Sequence, residues 1–246
     1  MAAPAAMLTT MTQVLLTELD TAGHAARERI LLPRLHAEEQ LRYRGFGTET
    51  RRQSWLAGRG LLLAALDRVL DEVDPGRLRT AASGGIAYRG APVHLNLSHS
   101  GGLLAAVVSS RPVGIDIERI RPRAIAAQVD RVFCPGEARA MEHLPEDARL
   151  ARFFQLWTLK EAACKAAQLS IWDGLGKACF DVDAGRCHFA PPFPPHPWRL
   201  MHGAFDGDWR LAVAVRDESL EFTCHRVTDG RWDTQALDQV GMLLDG

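Results

Sequence analysis

Two stretches of this chain carry nearly the same pattern, and that echo limits its architecture more than any other feature. His99-Ser100-Gly101-Gly102 leads into Leu103-Leu104-Ala105-Ala106-Val107-Val108, and Phe205-Asp206-Gly207-Asp208 leads into Trp209-Arg210-Leu211-Ala212-Val213-Ala214-Val215. Each pairs glycine-bearing turn residues with an apolar, β-rich run, which is a hairpin signal. Each also follows a long helical segment. Residues 49–70 put Trp55, Leu56, Leu62, Leu63, Leu66, Val69 and Leu70 at helical spacing. A second helix is expected from Pro145 to about Gln168, with Glu146 and Asp147 in its first turn and Phe153, Phe154, Leu156 and Trp157 on its apolar side. The pattern predicts two similar α+β halves, 1–112 and 113–246, meeting near 110–115. Chance similarity between two hairpins is the competing reading.

Other elements follow from local signals. Strand, turn and strand are expected over 93–108, and a further strand over Val113–Glu118 after the Arg111-Pro112 break. Asp173-Gly174-Leu175-Gly176 reads as a loop, and Ala190–Pro197 as a stiff extended connection. Residues 217–246 read as an appended strand and a short amphipathic tail.

Bulk properties exclude several classes. The 246 residues are 47% hydrophobic and 24% charged with net charge −1, so bulk attraction to nucleic acid or to an anionic membrane is not indicated. No apolar run is long enough to span a bilayer, and Met1–Leu16 lacks the basic region of a standard signal peptide. The five Cys are odd in number with no CxxC spacing, so neither a disulfide framework nor a zinc site is expected, and a reducing cytoplasm fits. Residues 1–90 hold twelve Arg and no Lys, either an anion-binding face or an ordinary solvated surface.

Lys occurs only at Lys160, Lys165 and Lys177, and the first two flank Glu161 on the second helix. A compact ammonium stands there in a chain that uses guanidinium nearly everywhere else. Trp157, Glu161 and Lys165 share one i, i+4 row. That row is either a plain helical salt bridge or part of a charged site; the aromatic company of Glu161 puts it at the edge of the core, where an acid needs a partner. Asp116 and Glu118 are two apart on a strand and share one face, with Ile115 and Ile117 on the other, expected to face the core. Converging carboxylates repel unless a cation lies between them, and Mg²⁺ suits such oxygen donors while leaving positions for water and phosphate. Taken alone, the pair fits a solvated strand face equally well. His99, beside Asn96, Leu97 and Ser98 at a turn, is a structural histidine or one of several phosphate donors. No Walker A motif and no GxSxG elbow is present.

Four motifs occur in order: Leu95-Asn96-Leu97-Ser98-His99-Ser100, Gly114-Ile115-Asp116-Ile117-Glu118, Phe133-Cys134-Pro135-Gly136-Glu137, and Phe154-Gln155-Leu156-Trp157-Thr158-Leu159-Lys160-Glu161-Ala162-Ala163-Cys164-Lys165. Together they resemble the signature of 4′-phosphopantetheinyl transferases, and the length resembles the long, pseudo-dimeric surfactin-type branch. The resemblance is clear over residues 92–166. It implies transfer of the 4′-phosphopantetheinyl arm of coenzyme A to a Ser of an apo acyl, polyketide or peptidyl carrier protein, releasing adenosine 3′,5′-bisphosphate. It also implies coenzyme A between the halves. By position, Asp116, Glu118 and Glu161 would hold Mg²⁺. Glu161, or a water it orients, would be the base, and Lys165 would neutralise the leaving phosphate. Lys160 would assist or pair with a carboxylate, Ser98 and His99 would contact the 3′-phosphate, and Glu137 resembles a further acid near the site. Tyr88-Arg89-Gly90-Ala91-Pro92 stands where the family often has Gly-Lys-Pro, so Arg89 is the expected substitute for that Lys. Arg52, with Arg42, Arg44 and Arg51, resembles the family's N-terminal phosphate-binding region. Two other classes use the same residues: a Mg²⁺-dependent hydrolase of coenzyme A or a related nucleotide anhydride, and a non-catalytic coenzyme A or carrier-binding homologue.

Overall fold

The computed structural model describes residues 11–82, 84–195, 197–216, 221–228 and 231–234. The chain forms two compact units. Among the described residues, the first draws on 11–98, 102–110 and 221–234, the second on 99–101 and 111–216.

The first unit begins with β1 (Met11–Glu18) and the helices α1 (His24–Ile30), α2 (Ala37–Arg44) and α3 (Glu49–Leu66). A small hairpin follows, β2 (Leu78–Thr80) with β3 (Ile86–Tyr88), then β4 (His94–Ser100), whose last two residues belong to the second unit, and β5 (Leu103–Ser109). Thr48 caps α3 through its hydroxyl, which accepts from the Arg51 amide, as an N-terminal Thr should. The apolar stripe of α3 packs Leu62, Ala65 and Leu66 with Leu15, Leu104, Ala106 and Val108.

The second unit repeats that order. β6 (Val113–Arg119) is followed by α4 (Ala126–Val132), α5 (Pro135–Glu142), α6 (Glu146–Ala167) and the short α7 (Ile171–Gly174). The hairpin β7 (Ala178–Asp181) with β8 (Arg186–Phe189) precedes β9 (Arg199–Phe205) and β10 (Trp209–Val215). Its core gathers Phe153, Phe154, Leu156 and Leu159 of α6 with Phe180, Trp198, Leu200, Ala212 and Ala214.

The sheets carry the same plan. β5 lies between β1 and β4, and β10 lies between β6 and β9. Both β1–β5 and β6–β10 are antiparallel, with Glu18 opposite Leu103 and Arg119 opposite Trp209. Aligning those pairs matches Leu15 with Asp116 and Thr17 with Glu118. The first unit thus has the scaffold of the second with an apolar residue in place of its buried acid. The hairpin echo in the sequence is therefore one part of a whole repeated unit.

The C-terminal strands depart from the 113–246 half drawn from sequence. β11 (Glu221–Thr228) pairs parallel with β1, and β12 (Arg231–Thr234) pairs with β11, so both extend the sheet of the first unit. The reason is the sheet edge: β1 pairs with β5 on one side only, and β11 satisfies the backbone groups on its other side. The amphipathic tail expected after these strands lies outside the described residues. No helix among the described residues is long and apolar enough to cross a membrane.

The cysteine expectation is also corrected. Cys134 and Cys179 form a disulfide with Cα atoms 5.7 Å apart. Spacing could not show it, because the two lie 45 residues apart and meet only where the start of α5 reaches β7.

Candidate active site

The site lies on the face of β6 that α6 covers. The period of two puts Gly114, Asp116 and Glu118 on one side of the strand. Gly114 is the point of closest approach. A Cβ built there would fall against the Ala162 carbonyl oxygen, 2.5 Å from the Ala166 nitrogen and 2.8 Å from the Lys165 Cβ. Only a residue without a side chain lets helix backbone come this near. Cross-strand neighbours on the same face are small too, since Ala214 and Ala212 stand opposite Gly114 and Asp116. The carboxylates therefore face the helix and the core of this unit, which corrects the expectation that only Ile115 and Ile117 face inward.

This approach brings four chemistry-bearing side chains together. Asp116 is 2% exposed. Lys165 donates to Asp116 Oδ1 at 2.7 Å and to the Ile115 carbonyl at 3.0 Å, and its Nζ lies 3.7 Å from Glu161 Oε2. One ammonium is thus shared by a strand carboxylate and a helix carboxylate. Trp157 stands one turn before Glu161 on α6. Glu118 accepts from the Ser100 hydroxyl at 2.7 Å.

The electrostatics follow from crowding. The Glu161 carboxyl is pushed up to about 7, first by burial and then by Asp116 and Glu118, with Lys165 opposing. Glu118 is raised too, mainly by burial and further by Asp116, with the Ser100 hydrogen bond opposing. Mutual repulsion of this kind favours a bound cation, and three hard oxygen donors suit Mg²⁺. As placed, no group of three or more His, Cys, Asp or Glu among the described residues stands at metal-ligating spacing. Lys165 is the cation nearest the pair Asp116 and Glu161.

Lys160 goes elsewhere. It is fully buried, with Nζ 2.9 Å from Glu137 Oε2, and it donates to the Leu175 carbonyl at 3.0 Å and to the Ala178 carbonyl. Glu137 is equally engaged, accepting from the Cys134 amide at 2.7 Å and the Phe180 amide at 2.8 Å. Burial lowers the Lys160 pKa and the Glu137 carboxylate opposes that shift. Of the two roles expected of Lys160, the cofactor contact is corrected, and the pairing with a carboxylate is the one found: an internal ion pair tying α6 to α5 and β7. The first unit holds a counterpart: Arg59 of α3 pairs with Glu39 of α2 at 3.1 Å, and Glu39 accepts from the Thr80 amide of β2 at 2.8 Å.

The remaining expected contacts are dispersed along the chain. Arg52, in α3, pairs with Glu49 at 3.0 Å and donates to the Phe46 carbonyl at 2.8 Å. Arg89 is exposed in the turn after β3, Ser98 is buried in β4, and His99 beside it is exposed. Sequence reasoning assigned no role to Ser100 or Gly114. The alternation of Gly114 with Asp116 was the available signal for the latter.

The family model described as the 4′-phosphopantetheinyl transferase superfamily matches residues 112–214, which contain this cluster. A 4′-phosphopantetheinyl transferase HetI from Nostoc is 31% identical over 195 residues, covering 74% of this chain and 78% of the relative. A 4′-phosphopantetheinyl transferase AcpT from Salmonella typhimurium is 42% identical over 124 residues, 50% of this chain and 62% of the relative. A 4′-phosphopantetheinyl transferase from Bacillus subtilis is 31% identical over 126 residues, 50% of this chain and 55% of the relative. The chain thus aligns with less than two thirds of the length of the AcpT and Bacillus relatives.

Proposed function

The chain belongs to the 4′-phosphopantetheinyl transferase superfamily, and from that premise we propose that it transfers the 4′-phosphopantetheinyl arm of coenzyme A to a Ser hydroxyl of an apo carrier protein. The observation that carries the proposal is the meeting of Asp116, Glu161 and Lys165 where α6 crosses β6. Asp116, Glu118 and Glu161 would hold Mg²⁺, whose chemical contribution is to screen charge at the phosphate anhydride. Glu161, or a water it orients, takes the proton of the carrier Ser as its oxygen bonds to phosphorus. The anhydride P–O bond breaks, and adenosine 3′,5′-bisphosphate leaves with its new charge beside Lys165. Ser98, His99, Arg89 and Arg52 are proposed as contacts for the phosphates of coenzyme A. The partner is an acyl, polyketide or peptidyl carrier, and the working form a cytoplasmic monomer. Exposed Arg is proposed to draw in an acidic carrier, so carrier affinity should fall as salt rises.

The test is mass spectrometry of several apo carriers after incubation with coenzyme A, Mg²⁺ and this protein. The expected result is one added phosphopantetheinyl group on at least one carrier. Release of phosphopantetheine without a carrier, and no modified carrier, would instead identify a hydrolase.

A further inference from the structure

We propose that Ser100 is a positioning residue that sets which oxygen of Glu118 is offered to the divalent cation; this rests on the reading of Glu118 as a cation ligand. A serine hydroxyl has one proton and two lone pairs. The Arg119 amide donates to Ser100 Oγ at 3.2 Å, which engages a lone pair. The hydroxyl proton is then directed to Glu118 Oε2, 2.7 Å away, at the short distance of a charge-assisted bond. Oε2 is held, and Oε1 is the oxygen left to a cation.

The turn after Ser100 fixes this arrangement. Gly101 has φ +48°, and a Cβ there would lie 3.0 Å from both Arg119 Cδ and the Trp209 ring. Gly101 is thereby seated against Arg119, the last residue of β6, and Trp209, the first of β10. Ser100 acts from outside the cation's own donor set, as the outer partners of metal-binding side chains commonly do.

The test measures Mn²⁺ binding to the purified full chain by electron paramagnetic resonance, without coenzyme A or carrier. Ser100→Ala should weaken Mn²⁺ binding about 10- to 100-fold, the range for loss of an outer partner. Ser100→Thr, which keeps the hydroxyl, should restore most of the affinity. In transfer assays Ser100→Ala should raise the Mg²⁺ concentration for half-maximal rate more than it lowers the rate at saturating Mg²⁺. Unchanged Mn²⁺ affinity in Ser100→Ala, with binding lost in Glu118→Gln, would overturn the role of Ser100 alone. Unchanged affinity in Glu118→Gln would overturn the reading of Glu118. If Ser100→Ala does not fold, Ser100→Cys keeps the shape with a weak donor and must show the same loss.

Discussion

Gly114→Ala is the sharpest test of how the fold makes the site. The added methyl would meet backbone of α6: the Ala162 carbonyl oxygen, and the Ala166 nitrogen at 2.5 Å. Neither is the end of a flexible side chain, so the helix itself must shift. Restoring ordinary contact, which begins near 3.4 Å, moves α6 by roughly 1 Å. Overpacking of this size costs about 1–3 kcal/mol, and replacing a strand glycine returns about 0.5–1 kcal/mol. The net loss of up to about 2.5 kcal/mol should lower Tm by up to roughly 10 °C at this chain length. Glu161 and Lys165 ride on the displaced helix while Asp116 stays on the strand, and a misplacement near 1 Å can cost about 100-fold in turnover. Scanning calorimetry and single-turnover transfer to an apo carrier read the two effects. Gly136→Ala is the control: nothing lies within 4 Å of a Cβ there, and Tm should hold or rise slightly. A Gly114→Ala protein with wild-type Tm and turnover within about twofold would refute the reasoning.

Lys160→Met should destabilise by about 3–5 kcal/mol, because it strands Glu137 as a buried charge. Adding Glu137→Gln should recover part of that loss in chemical denaturation, and no recovery would contradict the pairing. The Glu161 pKa is raised on folding from an ordinary 4.5 to about 7. The folded form therefore keeps a proton that the unfolded form releases, and this contribution is full below pH 4.5 and lost as pH rises through about 7. Glu161→Gln should flatten stability against pH in that window, and an identical profile would count against the burial and crowding at Glu161. Cys134 and Cys179 close a 45-residue loop, so reduction should cost up to about 4 kcal/mol and lower Tm. Alkylation of both thiols without reductant would show that the bond does not form.

The sequence carried what is periodic and local. Glycine-bearing turns marked the β4–β5 and β9–β10 hairpins, and apolar spacing marked α3 and α6. The alternation in β6 put Asp116 and Glu118 on one face. It did not say which face α6 covers, because that depends on contact between a strand glycine and helix backbone more than forty residues away. Lys160 illustrates a second limit. Adjacent helix residues diverge by about 100°, so Lys160 turns into the core while Glu161 and Lys165 share a row toward β6. The buried partners of Lys160 and Arg59 come from other helices and hairpins, which spacing within one helix cannot reveal. The same holds for β11, whose parallel partner β1 lies at the far end of the chain, and for Cys134 with Cys179.

Divalent-cation binding to single-site variants tests the centre of this account most directly. Mn²⁺ titration of Asp116→Asn, Glu118→Gln and Glu161→Gln, each checked for an intact fold by circular dichroism, should show strongly weakened binding in all three, with one ion bound by the unaltered protein. Wild-type affinity in the Asp116→Asn or Glu161→Gln protein would mean that the strand and helix acids do not hold a common cation.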